Sequence, residues 1–115
     1  MDNYTEVRPW GKFTVLYDGP ECKVKILEVN PGQRLSYQYH HKREENWVVV
    51  SGKATVVLDD LEQILGCGEH IFIPKGAKHR ICNQSDDLVR IAEVQTGEYF
   101  GEDDIVRIED DYKRE

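Results

Sequence analysis

Gln38, His40 and Glu45 fall between Gly32 and Gly52, and a second segment from Gly68 to Asn83 carries His79. An amide oxygen, two imidazoles and a carboxylate are donor types that hold a divalent cation of borderline softness. Alternate side chains of an extended strand share a face, so Gln38 and His40 can reach one ion. A turn through His41, Lys42, Arg43 and Glu44 would bring the Glu45 carboxylate back beside them, just ahead of the apolar run Trp47 to Val50. In the second segment Pro74 and Gly76 precede His79. Proline fixes φ and glycine permits a positive φ, so that turn delivers the imidazole at a set position on a new strand as the fourth ligand. One anionic donor leaves such a complex net positive, able to polarise a carbonyl or hydroxyl oxygen as a Lewis acid. Zinc is the leading expectation, with nickel, manganese, cobalt or iron as alternatives.

These donors need a scaffold of short strands, and the sequence supplies one. Turn signals recur at Asp18 to Pro20, Asn30 to Gly32, Ser51 to Gly52, Asp59 to Asp60, Gly66 to Gly68, Pro74 to Gly76, Asn83 to Ser85 and Gly97. Between them lie β-branched and aromatic stretches: Lys12 to Tyr17, Lys23 to Asn30, Trp47 to Val50, Ala54 to Leu58, Ile71 to Ile73 and Leu88 to Val94. The long stretch Gln33 to Ser51 lacks glycine, proline and a helical period, and is predicted to be two strands joined by a turn. A last strand is expected around Ile105 to Ile108. At 115 residues the chain suits a single domain, 1–115, built as a small β-barrel.

Composition narrows the classes of partner. Fifteen lysines and arginines against twenty-two aspartates and glutamates give a net charge of −7, which argues against nucleic acid or an anionic membrane. Cys22, Cys67 and Cys82 form no CxxC pair and leave an odd count, so neither a zinc ribbon nor a disulfide framework is expected. A reducing cytoplasm fits that usage. The start, Met1 to Arg8, is polar, and no apolar run approaches the roughly 20 residues of a spanning helix, so a soluble chain is expected.

Together the two segments resemble the paired motifs of the cupin superfamily, with Gln38 where histidine is commoner. That variant, with Arg8, Pro9, Trp10 and Gly11 near the start and Gly101 to Arg107 near the end, resembles the type II mannose-6-phosphate isomerase domain. The resemblance implies an all-β double-stranded β-helix, a jelly-roll barrel. In that family the domain is often the C-terminal half of a bifunctional mannose-1-phosphate guanylyltransferase, whose glycine-rich nucleotide segment has no counterpart in this sequence. The family usually has histidine after the glutamate, where this chain has Asn46.

The activity that the resemblance implies is interconversion of mannose 6-phosphate and fructose 6-phosphate through an enediol. Its base is sought among Glu45, Lys25, His41 and His70, between which the sequence does not choose. Lys25 and Arg107 are the leading candidates to hold the phosphate, with Arg8 a third. Lys25 shares strand parity with Leu27 and Val29, so it enters the barrel if that face lines the interior and lies outside if it does not. Arg107 lies in the stretch resembling the family's closing segment; its other reading is a surface pair with Glu109 or Asp110. Trp10 and Trp47 read as core, and His41 and His70 as surface. The rival functions are a cupin of another class, such as a dioxygenase or another sugar isomerase, and a noncatalytic sugar-binding module. Open sheet edges also predict a homodimer.

Overall fold

Eleven strands and no helix make up the described part of the computed structural model, residues 3–111. They are β1 (Tyr4–Arg8), β2 (Gly11–Asp18), β3 (Cys22–Val29), β4 (Tyr37–Tyr39), β5 (Arg43–Ser51), β6 (Ala54–Leu58), β7 (Leu61–Leu65), β8 (His70–Ile73), β9 (His79–Cys82), β10 (Val89–Gly97) and β11 (Val106–Glu109). A six-stranded sheet runs β1-β2-β3-β10-β5-β8, and a five-stranded sheet runs β11-β4-β9-β6-β7. The strand pairs are antiparallel throughout. This is the all-β jelly roll expected. Among the described residues no helix is long and apolar enough to cross a membrane.

Alternation builds the barrel. On β5, Arg43, Glu45, Trp47 and Val49 are buried while Asn46, Val48 and Val50 are exposed. On β3 the buried set is Lys25, Leu27 and Val29, and on β10 it is Val89, Ile91, Glu93 and Gln95. The pairing sets Ile91 opposite Leu27 and Val49, and Glu93 opposite Lys25 and Trp47. One end of the interior is therefore apolar, with Val29, Val49, Val56, Ile81, Val89 and Ile91 sealed from solvent. Each such side chain contributes roughly 1.5–3 kcal/mol by burial. The other end is polar, and it holds the candidate residues.

Two features differ from the sequence reading. The turn before Glu45 is shorter than expected, because Arg43 already belongs to β5 and points inward. Strand β10 runs on to Gly97 rather than stopping near Val94, which carries Gln95 into the interior. The strands β1 and β7, which the sequence did not announce, are outermost in their sheets along with β8 and β11.

Candidate active site

The two glycine-bounded segments meet through backbone before they meet through side chains. Gly76 N–H donates to the His40 carbonyl at 2.9 Å, and Gly32 N–H donates to the Asn83 carbonyl at 2.8 Å. Gly76 has φ of 83°, a left-handed conformation that glycine adopts without strain. The turn it closes, with Ala77 N–H on the Pro74 carbonyl at 3.1 Å, leads directly into β9 and His79. Across the smaller sheet Gln38 lies opposite His79 on one side and Arg107 on the other. Directly paired residues share a face, and all three line one pocket with Glu45 and Lys25.

His40, Glu45 and His79 bring one donor atom each to within 4.8 Å of one another, and all three residues are buried. His40 Nδ1 lies 2.8 Å from the Asp104 carbonyl, and His79 Nδ1 lies 2.9 Å from the Ala77 carbonyl. A carbonyl only accepts, so each Nδ1 carries a proton and each ring is turned with Nε2 towards the pocket. His79 Nε2 is buried with no hydrogen-bond partner. Trp47 Nε1 donates to Glu45 Oε1 at 2.9 Å and fixes that carboxylate from behind. An orphaned imidazole nitrogen, a second oriented imidazole and a fixed carboxylate fit a divalent cation. Gln38 lines the same pocket as the fourth expected donor.

The electrostatics separate two neighbouring carboxyl groups. Burial works to raise the pKa of Glu45, but the adjoining His40, His79 and Arg43 side chains hold it well below the usual carboxylate range. Glu93 is pushed up to about 8, first by burial and then by the negative charge of Glu45. It accepts from Gln95 Nε2 at 2.8 Å and from Trp47 Nε1 at 3.2 Å. Burial also lowers His79, favouring the neutral ring that a cation requires.

Cations complete the pocket. Lys25 is 4% exposed, so its parity with Leu27 and Val29 does carry it inside. Its Nζ lies 3.1 Å from Glu102 Oε2 and 4.3 Å from the centre of the Phe13 ring. Arg107 also lines the pocket, its Nε buried without a hydrogen-bond partner. The surface pair considered for it is not formed with Glu109, which instead meets Arg34 and Arg80. Arg8 lines the same pocket while paired with Glu6. Trp10 and Trp47 are core residues that also wall the site. His41 and His70 are exposed, and neither lines it.

Three pocket residues escaped the sequence reading. Arg43 donates from Nε to Glu45 Oε2 at 2.9 Å and approaches His40 Nε2 at 3.2 Å through Nη2. Its signal was available: stepping back by twos from Val49 and Trp47 reaches Glu45 and then Arg43. The same step forward from Ile91 finds Glu93. Glu102 sits in an irregular segment, where no periodicity announces it. Asn46, the departure from the family pattern, is exposed on the outer face of β5 and points away from the pocket.

Known proteins similar to this chain indicate its family and its fold. The chain is 46% identical over 113 residues to the alginate biosynthesis protein AlgA of Pseudomonas aeruginosa, covering 97% of this chain and 24% of that protein. It is 41% identical over 111 residues to a mannose-1-phosphate guanylyltransferase of Sinorhizobium fredii, covering 96% of this chain and 22% of that one. The chain thus spans about a quarter or less of the length of these relatives. Among solved structures, the cupin domain of Schizosaccharomyces pombe Cnp3 superposes with a TM-score of 0.72 over 75% of this chain and 64% of that one, at 17% identity. That match bears out the cupin fold. The family described as Mannose-6-phosphate isomerase C-terminal matches residues 1–110, and the chain belongs to it.

Proposed function

We propose that this domain is a metal-dependent sugar-phosphate isomerase that interconverts mannose 6-phosphate and fructose 6-phosphate. One observation carries the reading: the donor atoms of His40, Glu45 and His79 converge within 4.8 Å, and Glu45 and His79 line a pocket together with Lys25 and Arg107. His40, Glu45, His79 and Gln38 would hold the ion, with zinc the leading choice. A bound divalent cation supplies Lewis acidity towards the sugar oxygens at C1 and C2.

The remaining work falls to the chain itself. Isomerisation removes the proton on C2 of the aldose, passes through an enediol, and returns a proton to C1 as the C2 hydroxyl becomes a carbonyl. Lys25 and Arg107 offer N–H donors to the phosphate oxygens. Of the four candidate bases, His41 and His70 are exposed, while Glu45 and Lys25 line the pocket. Trp10, Trp47, Leu27 and Ile81 give the cavity an apolar wall that excludes water from the enediol.

The test is direct. Purified protein supplied in turn with zinc, manganese, cobalt, nickel or ferrous iron should form fructose 6-phosphate from mannose 6-phosphate. Glu45→Gln should lose metal affinity by at least about 100-fold, since loss of an outer partner of a ligand alone costs roughly 10–100-fold. Absence of turnover with every metal overturns the proposal.

A further inference from the structure

The polar pocket has a volume of about 60 Å³, whereas sites that enclose a small molecule run to roughly 300–1,000 Å³. Beside it lies a second cavity of about 410 Å³, and Phe13, Lys25 and Glu102 line both. The partition between them is thus a phenyl ring and an ion pair. Glu102 Oε2 lies 3.1 Å from Lys25 Nζ and 3.6 Å from Arg43 Nη1. The partners are unequally placed: the side chains of Lys25 and Arg43 are 5% and 4% exposed, and that of Glu102 is 43% exposed.

That asymmetry decides which partner can leave. A buried cation deprived of its anion carries a large desolvation cost, whereas a half-exposed carboxylate can rotate into water. The flanking backbone can stay in place meanwhile. Asp104 accepts from the His41 and Lys42 amides at 3.0 and 2.9 Å, its carbonyl holds His40 Nδ1, and the Phe100 carbonyl receives Arg43 Nη1 at 3.5 Å. Glu102 lies between these anchors. Burial works to raise its pKa, but Lys25 and Arg43 hold it below the usual carboxylate range. It is an anion at neutral pH, seated on two sealed cations.

We propose that Glu102 is a displaceable intramolecular anion. It occupies the Lys25 and Arg43 site and partitions the two cavities until the phosphate of a ligand replaces it and joins them. A phosphate offers three acceptor oxygens and up to two negative charges, so it satisfies two cations more fully than one carboxylate does. This deepens the isomerase reading and rests on it for the identity of the sugar. The anion exchange itself requires no turnover.

The experiment measures calorimetric binding of inorganic phosphate to the full chain and to Glu102→Gln, Glu102→Ala and Glu102→Gln combined with Lys25→Met. Removing the competing charge should tighten phosphate binding by about tenfold or more in both single variants, and adding Lys25→Met should abolish the gain. Thermal unfolding of each variant identifies any that fails to fold, and the two single variants do not depend on each other. Equal or weaker binding by a folded Glu102 variant overturns the proposal, as does a gain that survives Lys25→Met. Isomerase turnover with unchanged phosphate binding would reject the displaceable anion alone. Tightened binding without turnover would reject the isomerase reading alone.

Discussion

Ile91 and Glu93 stand two residues apart on β10, on the same face, and meet opposite environments. Ile91 lies between Leu27 and Val49; Glu93 lies between Lys25 and Trp47. Both are nearly inaccessible, at 0% and 5% exposure. At the apolar end burial is stabilising in itself, since it removes hydrocarbon from water. At the polar end burial is costly unless charges find partners, and the structure offsets much of that cost with ion pairs, indole N–H donation and one carboxyl that keeps its proton, while leaving His79 Nε2 and Arg107 Nε without a hydrogen bond. The same three strands thus serve as an apolar core at one end and as the wall of a polar pocket at the other.

The comparison can be broken most strongly at the apolar end. Ile91→Ala should lower stability by about 2–5 kcal/mol, the range for such a truncation in a packed interior. Urea unfolding would show it as a reduced midpoint, and an unchanged midpoint would mean that the two ends do not differ as described.

A smaller effect is expected from protons at the polar end of the metal-free protein. The pKa of Glu93 rises from an ordinary value near 4.5 to about 8 on folding. Between those values the folded chain binds more protons than the unfolded chain, so stability through this group falls as pH rises from about 4.5 to 8. The lowered pKa of Glu45 acts in the opposite sense and in a different window, with stability lost as pH falls below the ordinary value. Glu93→Gln keeps a neutral, hydrogen-bonding side chain and should flatten the decline between pH 4.5 and 8. Denaturant melts across that interval would check it, and an identical slope in the variant would reject the shared-charge account of this pair.

The smallest effect is expected outside the barrel. Asn46→His restores the residue usual in the family, yet position 46 faces solvent between two buried residues. Metal affinity and any turnover should change by less than about twofold, as for surface substitutions remote from the site. A larger change would place position 46 within reach of the chemistry, against the alternation of β5.

How much of this was legible beforehand varies by residue. The candidate donor cluster was readable because it depends on turns and short spacings: Pro74 and Gly76 ahead of His79, and Gln38 two residues before His40. Lys25 was readable as a conditional, since its parity was clear and the face was not. Arg43 was hidden by its company, because His41, Lys42, Arg43 and Glu44 read as a turn, and only the strand start at Arg43 turns it inward. Glu102 had no signal, since it reaches Lys25 from 77 residues away on a segment without regular structure.

Alternation and turn chemistry, which are properties of neighbouring residues, announced the all-β class, the strand parities and two donor-bearing segments. That Glu93 meets Lys25 and Trp47, that Gln38 lies between His79 and Arg107, and that Glu102 lines both cavities follows from the assembled barrel alone. Those contacts depend on the register between strands far apart in the chain, which is set by packing of the whole barrel and which no local pattern encodes.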